Sequence, residues 1–307
     1  MKKITRREFF KIGAGITFAS MLPRTILSAE QETATGPLVA VAHGEKSKLV
    51  KSAINTLGGI KKFINPGDYV LIKPNISFAA NNENGATTSA AITKQVVELC
   101  FEAGAEKIKI IDFPLANSEL CIAKSGIKKV LVNSKKISLL MLNKEQQFIG
   151  VSVSGGHELK RVKIARELLK ADKFINLPIA KSHSATGVSL GIKNLMGLIW
   201  NRSYLHRVDL HRAIAELGLV IKPDLTIVDA TKVLASGGPG GPGKTIVLNT
   251  VIAGVDMVAV DSYTVGLTRW YDRSFQGKDV KHILAASELG LGEIDIEKIV
   301  VKNVQVE

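Results

Sequence analysis

Residues 69–112, YVLIKPNISFAANNENGATTSAAITKQVVELCFEAGAEKIKIID, predict a strand, a helix and a second strand in that order. Tyr69–Ile72 is an apolar run of strand length that ends at polar residues. From Thr88 to Ala103 the apolar residues recur every three or four positions, and Gly104 then ends the helix. Lys107–Asp112 is again of strand length. This alternation is typical of a largely parallel sheet covered by helices.

The same alternation continues through most of the chain. Further strands are predicted at 38–42, 137–142, 148–153, 173–177, 225–229, 246–253 and 299–304, and further helices at 46–63, 118–124, 207–220, 257–267 and 279–289. We therefore predict an α/β fold for residues 38–307, with a mostly parallel or mixed sheet and helices on both faces. The less regular stretch 115–158 is a candidate for a smaller inserted subdomain.

An export signal is predicted at the N-terminus. Thr5-Arg6-Arg7-Glu8-Phe9-Phe10-Lys11 precedes the apolar run Ile12–Leu22, and Ala29 follows as a candidate cleavage residue. The run is too short to span a bilayer, which takes about 20 residues. We expect 1–29 to be a twin-arginine signal peptide and 30–37 a tether. A large residue at the minus-three position leaves an uncleaved anchor as the alternative.

The predicted signal sets the expected location and hints at a ligand. Twin-arginine export carries folded proteins, which usually need a cofactor or a tightly bound partner from the cytoplasm. We expect a periplasmic or otherwise extracytoplasmic protein whose contact with the membrane is made only through the signal. The export route does not identify a cofactor.

The charge balance argues for a small anionic partner rather than a nucleic acid. The formal net charge is +13, and removing the leader, with its net +5, leaves +8. The lysines are scattered and aromatic residues make up 5% of the chain, whereas nucleic-acid binders need a basic stripe, often with stacking aromatics. A basic surface of this kind suits an acidic or phosphorylated small molecule.

The two cysteines do not form a metal-binding pattern. Cys100 and Cys121 cannot supply the four thiolates of an iron–sulfur cluster, so no such cluster is expected from this chain. Both stand beside apolar residues, which predicts burial. Their sequence positions do not determine whether they pair in a disulfide.

The segment His206 to His211 contains an H-x-x-D-x-H pattern that resembles a metal motif. On one helix, His206 and His211 would lie on different faces, because five residues correspond to about 140° around the axis. We therefore predict no metal site here. The simpler interpretation makes Asp209 the N-cap of the following helix.

Polar residues collect at three predicted junctions between a strand and a loop, and ligands of open α/β sheets bind at the carboxyl ends of strands. The junctions are Lys73-Pro74-Asn75, Lys181-Ser182-His183-Ser184 leading to Lys193-Asn194, and the glycine-rich stretch 236–245 (SGGPGGPGKT). Their convergence predicts a binding site for an anion. The candidate ligand-binding residues are Lys73, Asn75, Ser182, Lys193, Asn194, Gly238, Gly240 and Gly241.

The glycine-rich stretch matches the P-loop pattern from Gly238 to Thr245, but we reject a P-loop here. A P-loop requires a helix after the lysine, whereas residues 246–252 are β-branched and predict a strand. Pro239 and Pro242 also remove two backbone N–H donors. The loop then either lines a pocket or makes a tight connection between strands.

His183 and Lys181 are the candidate catalytic residues. A histidine between two serines after a buried strand, with a near-neutral pKa and lysines nearby, suits proton transfer or anion binding. The lysines at 181 and 193 complement a carboxylate or phosphate. A capping or surface histidine and solvated lysines are the alternatives.

Two acidic residues near the C-terminus have different expected roles. Asp256 is expected to cap the helix that begins at Met257. Asp261 falls inside that helix and is expected to face either solvent or a polar cleft.

Four segments together resemble the DUF362 family, over about residues 38–304. They are Lys73-Pro74-Asn75, residues 176–183 (NLPIAKSH), residues 187–197 (GVSLGIKNLMG) and residues 253–261 (AGVDMVAVD). The family is defined by an unassigned domain that is sometimes fused to ferredoxin-type modules, and this chain lacks the C-x-x-C clusters of those members. The family also resembles lactate-racemase-like proteins that use a nickel pincer nucleotide, an analogy at the level of fold that carries no function.

Two hypotheses of function follow. The first is an exported protein that binds an anionic small molecule or cofactor and acts as an enzyme or accessory of a periplasmic redox system, with a redox protein as a candidate partner. The second is a non-catalytic binding or assembly protein that escorts a partner or cofactor through twin-arginine export.

Overall fold

A mixed ten-stranded sheet forms the centre of the protein in the computed structural model, which describes residues 36–131 and 135–307. The predicted leader and residues 30–35 of the tether lie outside the described residues. The strands are β1 (Leu38–Gly44), β2 (Tyr69–Pro74), β3 (Lys107–Asp112), β4 (Ile137–Met141), β5 (Phe148–Ser152), β6 (Arg161–Ala165), β7 (Lys173–Leu177), β8 (Ile179–His183), β9 (Gly187–Ser189), β10 (Leu225–Leu234), β11 (Thr245–Gly254), β12 (Arg269–Trp270), β13 (Arg273–Ser274) and β14 (Val300–Val306).

Helices cover both faces of this sheet. They are α1 (Leu49–Thr56), α2 (Ala90–Glu102), α3 (Ser118–Ser125), α4 (Gly191–Asn194), α5 (Arg202–Leu205), α6 (Leu210–Val220), α7 (Met257–Val265) and α8 (Lys281–Glu288). Alternate residues of strand β2 pack into two separate hydrophobic cores, one on each face of the sheet. Val70 and Ile72 pack with α1 and α2, whereas Leu71 packs in the core that contains α6, α7 and α8. The predicted α/β class with helices on both faces is confirmed.

The main sheet has the order β14-β1-β11-β10-β7-β2-β3-β4. Every strand along this path runs in the same direction except β11, which pairs antiparallel with both β1 and β10. Strand β8 continues beside β10 after an irregularity in register, and β9 folds back on β8. The sheet is therefore mixed but mostly parallel.

The order of the strands reverses beside β2. From β2 the chain adds β3 and β4 on one side, and β7 and β10 lie on the other side. Lys73 of β2 stands opposite Asn176 of β7 across this switch point. Open α/β sheets leave a crevice for ligands where the order reverses, at the carboxyl ends of the strands. The fold thus places the first and second predicted polar junctions at one crevice.

The stretch 115–158 contributes to two different parts of the structure. Strand β4 is the edge of the main sheet, whereas β5 pairs with β6 in a separate antiparallel hairpin. Phe148 of this hairpin packs against Phe113 and Trp200, with ring centroids 5.5 and 5.4 Å away. An aromatic cluster therefore joins the hairpin to the end of β3.

The ends of two helices were predicted from the sequence, one wrongly and one correctly. Helix α1 ends at Thr56, short of the predicted residue 63, because Gly58 and Gly59 adopt φ values of 100° and 88° that break the helix. Helix α6 begins at Leu210, and Asp209 is its N-cap as predicted, accepting from the backbone N–H groups of His211 and Arg212 at 2.9 and 3.1 Å.

Cys100 and Cys121 are buried free thiols. Among the described residues, no helix combines the length and the apolar character needed to cross a membrane.

Candidate functional site

A buried ion pair connects the ends of β2 and β3. Lys73 Nζ donates to Asp112 Oδ1 at 2.8 Å, and both side chains are fully buried. The same ammonium donates to Asn194 Oδ1 and to the carbonyl of Pro74, each at 3.0 Å. Burial lowers the pKa of Lys73, and Asp112 opposes that shift. Lys73 therefore lies at the base of the site, and the three N–H groups of its ammonium all donate to protein oxygens.

Asp112 has its own full set of donors. Its Oδ2 accepts from the Ile76 backbone N–H at 2.8 Å and the Ser77 hydroxyl at 3.0 Å, and its Oδ1 also accepts from the Phe113 N–H at 2.9 Å. The sequence pattern predicted that a strand ends at Asp112 but did not assign this residue to the site. The rule that selected Lys73, a polar residue at the carboxyl end of a strand, would also have selected Asp112.

Three asparagine amides hold this base in position. Asn75 Nδ2 donates to Asn194 Oδ1 at 3.1 Å, and Asn194 Nδ2 donates to Asn176 Oδ1 at 2.9 Å. Asn176 Nδ2 in turn donates to the Gly191 carbonyl at 2.9 Å. Strands β2 and β7 and the short helix α4 are therefore joined through one buried polar network.

Lys181 lies in strand β8, so the prediction that this segment is a loop was wrong. The pairing of β8 with β10 and β9 places the side chain in the interior, where it is 1% exposed. Its Nζ donates to Asn75 Oδ1 at 3.0 Å and to the Ala86 carbonyl at 2.6 Å, and lies 4.6 Å from the centre of the Phe78 ring. Burial, with repulsion from Lys193, lowers the pKa of Lys181 to about 7.

Lys193 projects from α4 and is 9% exposed. Within the described residues its hydrogen-bonding contact is the Met196 sulfur, at 3.4 Å from Nζ. Burial, with repulsion from Arg202, lowers the pKa of Lys193 to about 8. The thioether is a weak acceptor, so this ammonium lacks the carbonyl and amide oxygens that the other two buried lysines contact.

The N-terminus of α4 is fixed by Asp261. Its carboxylate is fully buried and accepts from the backbone N–H groups of Gly191 and Ile192 at 2.7 and 2.8 Å. The expectation that Asp261 faces solvent or a polar cleft was therefore wrong, because these two N–H groups satisfy it inside the core. Asp256 caps α7 as predicted, accepting from the Ala259 N–H at 2.9 Å.

Arg202 is a fourth cation of the site, which the sequence pattern did not predict. Its guanidinium donates to the carbonyls of Phe113 and Pro114 at 2.8 and 3.1 Å and lies 4.2 Å from the centre of the Phe113 ring. Phe113 stacks on Trp200 with centroids 5.6 Å apart. Burial lowers the pKa of Arg202. Arg202 follows no strand, so the sequence pattern contained no signal for it.

His183 ends β8 and borders the same space. Its Nδ1 accepts from the Ala185 backbone N–H at 3.2 Å, so the proton of the neutral ring lies on Nε2. Burial, followed by repulsion from Lys193 and Lys181, lowers the pKa of His183 to about 3. The expected near-neutral pKa was therefore wrong. In this structure the imidazole is therefore a neutral hydrogen-bond donor rather than a cation.

Several of the side chains described above line one cavity of about 110 Å³. Its wall includes Asn75, Lys181, His183, Lys193, Asn194 and Arg202. Among the described residues, no aspartate or glutamate contributes to this wall. Three cations consequently face a small space, and the nearby carboxylate of Asp112 is already engaged by Lys73.

The glycine-rich loop connects β10 to β11, and the β-strand that begins at Thr245 agrees with the rejection of a P-loop. Ser182 is buried and its Oγ accepts from the Gly238 N–H at 3.0 Å, while a Cβ on Gly238 would lie 1.8 Å from the Ser182 carbonyl. Gly240 packs on the Phe78 ring. Gly241 has a left-handed φ of 73° and open space around its Cα. From this loop, Pro239 reaches the cavity wall.

The two histidines of the H-x-x-D-x-H pattern lie in different surroundings. His206 borders the cavity, whereas the ring of His211 stacks on that of His282 at 6.2 Å. Within residues 36–131 and 135–307, no three histidine, cysteine, aspartate or glutamate side chains are grouped so that they could hold a metal ion.

Residues 70–266 match the family described as "Domain of unknown function (DUF362)". The chain belongs to the DUF362 family. The matched region contains the base of the site, the lysines at 181 and 193, and Asp261. The resemblance predicted from the sequence motifs is thereby confirmed.

Two further comparisons give more distant likenesses. A thylakoid-associated protein of Synechocystis sp. is 27% identical over 222 residues, which cover 69% of this chain and 66%, just under two thirds, of that relative. The lactate racemase apoprotein from Thermoanaerobacterium thermosaccharolyticum has a TM-score of 0.48 and 14% identity over 75% of this chain and 56% of that chain. This DUF362 chain therefore spans only part of either protein.

Proposed function

We propose that this DUF362 protein is exported and binds a small carboxylate or phosphate-like anion in the cavity above Lys73 and Asp112. The observation that carries the proposal is the meeting of Lys181, Lys193 and Arg202 at one wall to which no described carboxylate contributes. The leader in residues 1–29 supports a periplasmic setting.

Electrostatics favours an anion over a neutral ligand. Burying three cations together costs free energy, and the lowered pKa values of Lys181 and Lys193 report that cost. A bound anion offsets the repulsion and accepts hydrogen bonds from the lysines. Its binding should therefore raise the pKa of both lysines.

The neutral His183 ring adds a hydrogen-bond donor of defined direction to this positively charged wall. With Nδ1 occupied by the Ala185 N–H, its Nε2–H is available to donate to an oxygen of the ligand. A bound anion would also favour protonation of His183, which suits a role in proton transfer after binding. The small cavity volume limits the portion of the ligand held here to a group such as a carboxylate or phosphate.

Isothermal titration with sulfate, phosphate and pyruvate tests the proposal. Lys193→Gln and Arg202→Gln should each weaken binding by about tenfold or more, because a hydrogen bond to a charged group contributes about 1.5–3 kcal/mol. Lys124→Gln is the matched control, since Lys124 is exposed on α3 and does not line the cavity. Affinities of the two cavity variants equal to that of the control would refute anion binding at this site.

A further inference from the structure

Lys193 differs from the other buried lysines in what its amine contacts. Lys73 donates to three oxygen acceptors and Lys181 to two, and both are held in place by them. Lys193 Nζ contacts the Met196 sulfur at 3.4 Å and lines the cavity. More than nine-tenths of the side chain is buried. Its nitrogen is therefore the least restrained amine at the wall.

The surroundings of Lys193 are those that make a lysine nucleophilic. A desolvated amine beside another cation loses its proton more easily, and a neutral amine attacks carbonyl carbon. Arg202 supplies the neighbouring cation, and the lowered pKa of about 8 leaves about one tenth of the Lys193 amine neutral at pH 7. A lysine at the surface, with a pKa of about 10.4, is almost entirely protonated there.

We propose that Lys193 forms an imine with the carbonyl group of a small anionic aldehyde or 2-oxo acid bound in the cavity. This inference rests on the proposed anion site and assigns its ligand a second functional group. The Lys193 nitrogen forms a bond to the carbonyl carbon. The two protons of the neutral amine and the carbonyl oxygen leave together as one water molecule, so the step needs no oxidant or reductant.

The remaining wall residues fit the other parts of such a ligand. Arg202 is fixed by the carbonyls of Phe113 and Pro114, so its position is set before the carboxylate of a ligand arrives. The Nε2–H of His183 supplies a donor for the departing oxygen. Arg202 thus binds the charge of the ligand, and His183 assists the loss of water.

Reductive trapping tests the imine directly. The full chain is incubated with pyruvate and cyanoborohydride near neutral pH, digested, and mapped by mass spectrometry for carboxyethyl-lysine. We expect modification of Lys193 in excess of the exposed Lys124 by about tenfold or more, as the difference in the pKa values of the two kinds of lysine implies. Excess sulfate should suppress the labelling of Lys193 and leave that of Lys124 unchanged.

Competition between sulfate and pyruvate in the wild type separates the imine from the anion site. Pyruvate held by its carboxylate alone displaces sulfate, whereas an imine also gives a labelled Lys193. Pyruvate that competes with sulfate in the wild type without labelling Lys193 would overturn the imine and leave the anion site intact. Uniform labelling of all lysines would also overturn the imine, and failure of both sulfate and pyruvate to bind would overturn both proposals.

Discussion

Lys73 and Asp112 join the carboxyl ends of two neighbouring parallel strands through a fully buried contact of 2.8 Å. The aspartate also accepts from the backbone N–H groups of Ile76 and Phe113, where the chain leaves β2 and β3. A single carboxylate therefore fixes the turns that follow both strands. The cavity depends on this arrangement, because Asn75 and Asn194 are positioned from the same base.

Removing Asp112 should be among the most destabilising single changes at the site. Asp112→Ala leaves the Lys73 cation buried without its counter-charge, which typically costs about 3–5 kcal/mol. Lys73→Met should cost less, because Ser77 and two backbone N–H groups still donate to Asp112. Urea denaturation measures the free energy of unfolding of both variants.

An exposed ion pair provides the control for this comparison. Lys94 and Glu98 lie one turn apart on α2 at 3.5 Å, each with 54% of its side chain exposed. Glu98→Gln should change stability by less than about 1 kcal/mol. An Asp112→Ala variant no less stable than Glu98→Gln would show that the buried pair does not hold the site together.

Much of the fold and part of the site followed from simple sequence patterns. The strand-length pattern located β3 and β7 to the residue, because the isoleucines at 108, 110 and 111 and the Phe174-Ile175 pair supply the apolar side chains that these strands bury. The rule that ligands bind at the carboxyl ends of strands predicted from the sequence that Lys73, Lys193 and Asn194 belong to one site.

The missed features depend on contacts between distant segments. Arg202 reaches the cavity because the aromatic cluster around Phe113 holds it there, and no local pattern encodes that contact. Lys181 lies between a proline at 178 and polar residues at 182–184 that favour a loop, yet pairing with β10 makes its segment a strand. The depressed pKa of His183 likewise arises from burial and from lysines of other segments.

Anion binding should weaken as pH rises above neutrality. Binding favours the protonated lysines, whose pKa values in the free protein are about 7 for Lys181 and about 8 for Lys193. Affinity is therefore greatest below pH 7, falls about tenfold between pH 7 and 8, and falls more steeply above pH 8 if both charges are required. Sulfate is the suitable probe, because its own charge does not change over this range.

The variant Lys193→Arg identifies the source of the steeper fall. Arginine keeps its charge throughout this range, so the variant should retain the loss that begins near pH 7 and lack the additional loss near pH 8. Titration calorimetry with sulfate across the range measures both profiles. Wild-type affinity that stays constant from pH 6 to pH 9 would contradict the assignment of the two lysines.

Gly197 is expected to tolerate no side chain, because it packs directly on the buried ion pair. A Cβ at this position would lie 2.4 Å from Asp112 Oδ1 and 2.6 Å from Lys73 Cε. Asp112 Oδ1 and the Lys73 ammonium are held by hydrogen bonds, so Gly197→Ala should cost about 1–3 kcal/mol through overpacking and should weaken sulfate binding. Thermal unfolding and calorimetry measure the two effects.

Gly266→Ala is the matched control for that substitution. A Cβ at Gly266 would have the Tyr263 carbonyl oxygen as its nearest neighbour, at an ordinary contact distance of 3.5 Å, and the φ of −72° at this position suits alanine. We expect it to leave stability nearly unchanged or slightly higher. Equal effects of the two substitutions would show that the close approach of Gly197 to the ion pair has no special role.

Asp261 should make stability fall as the solution changes from acidic to neutral. Burial raises the pKa of this carboxyl from 3.8 to about 7, although it accepts from the N–H groups of Gly191 and Ile192. The folded protein therefore holds the proton more tightly than the unfolded chain does. The stabilisation is fully present below about pH 4 and is lost as pH rises to about 7, by an amount on the order of 4 kcal/mol.

Comparison with Asp261→Asn isolates this contribution, because asparagine keeps the size of the side chain and does not titrate. The free energy of unfolding of the wild type minus that of the variant should decrease steadily between about pH 4 and pH 7 and then level off. Asp209→Asn, at the exposed N-cap of α6, controls for the removal of a carboxylate from the surface. A difference for Asp261 that increases with pH would mean that the two N–H groups at the start of α4 outweigh burial. The helix that carries Lys193 would then be held by an ionised rather than a protonated carboxyl.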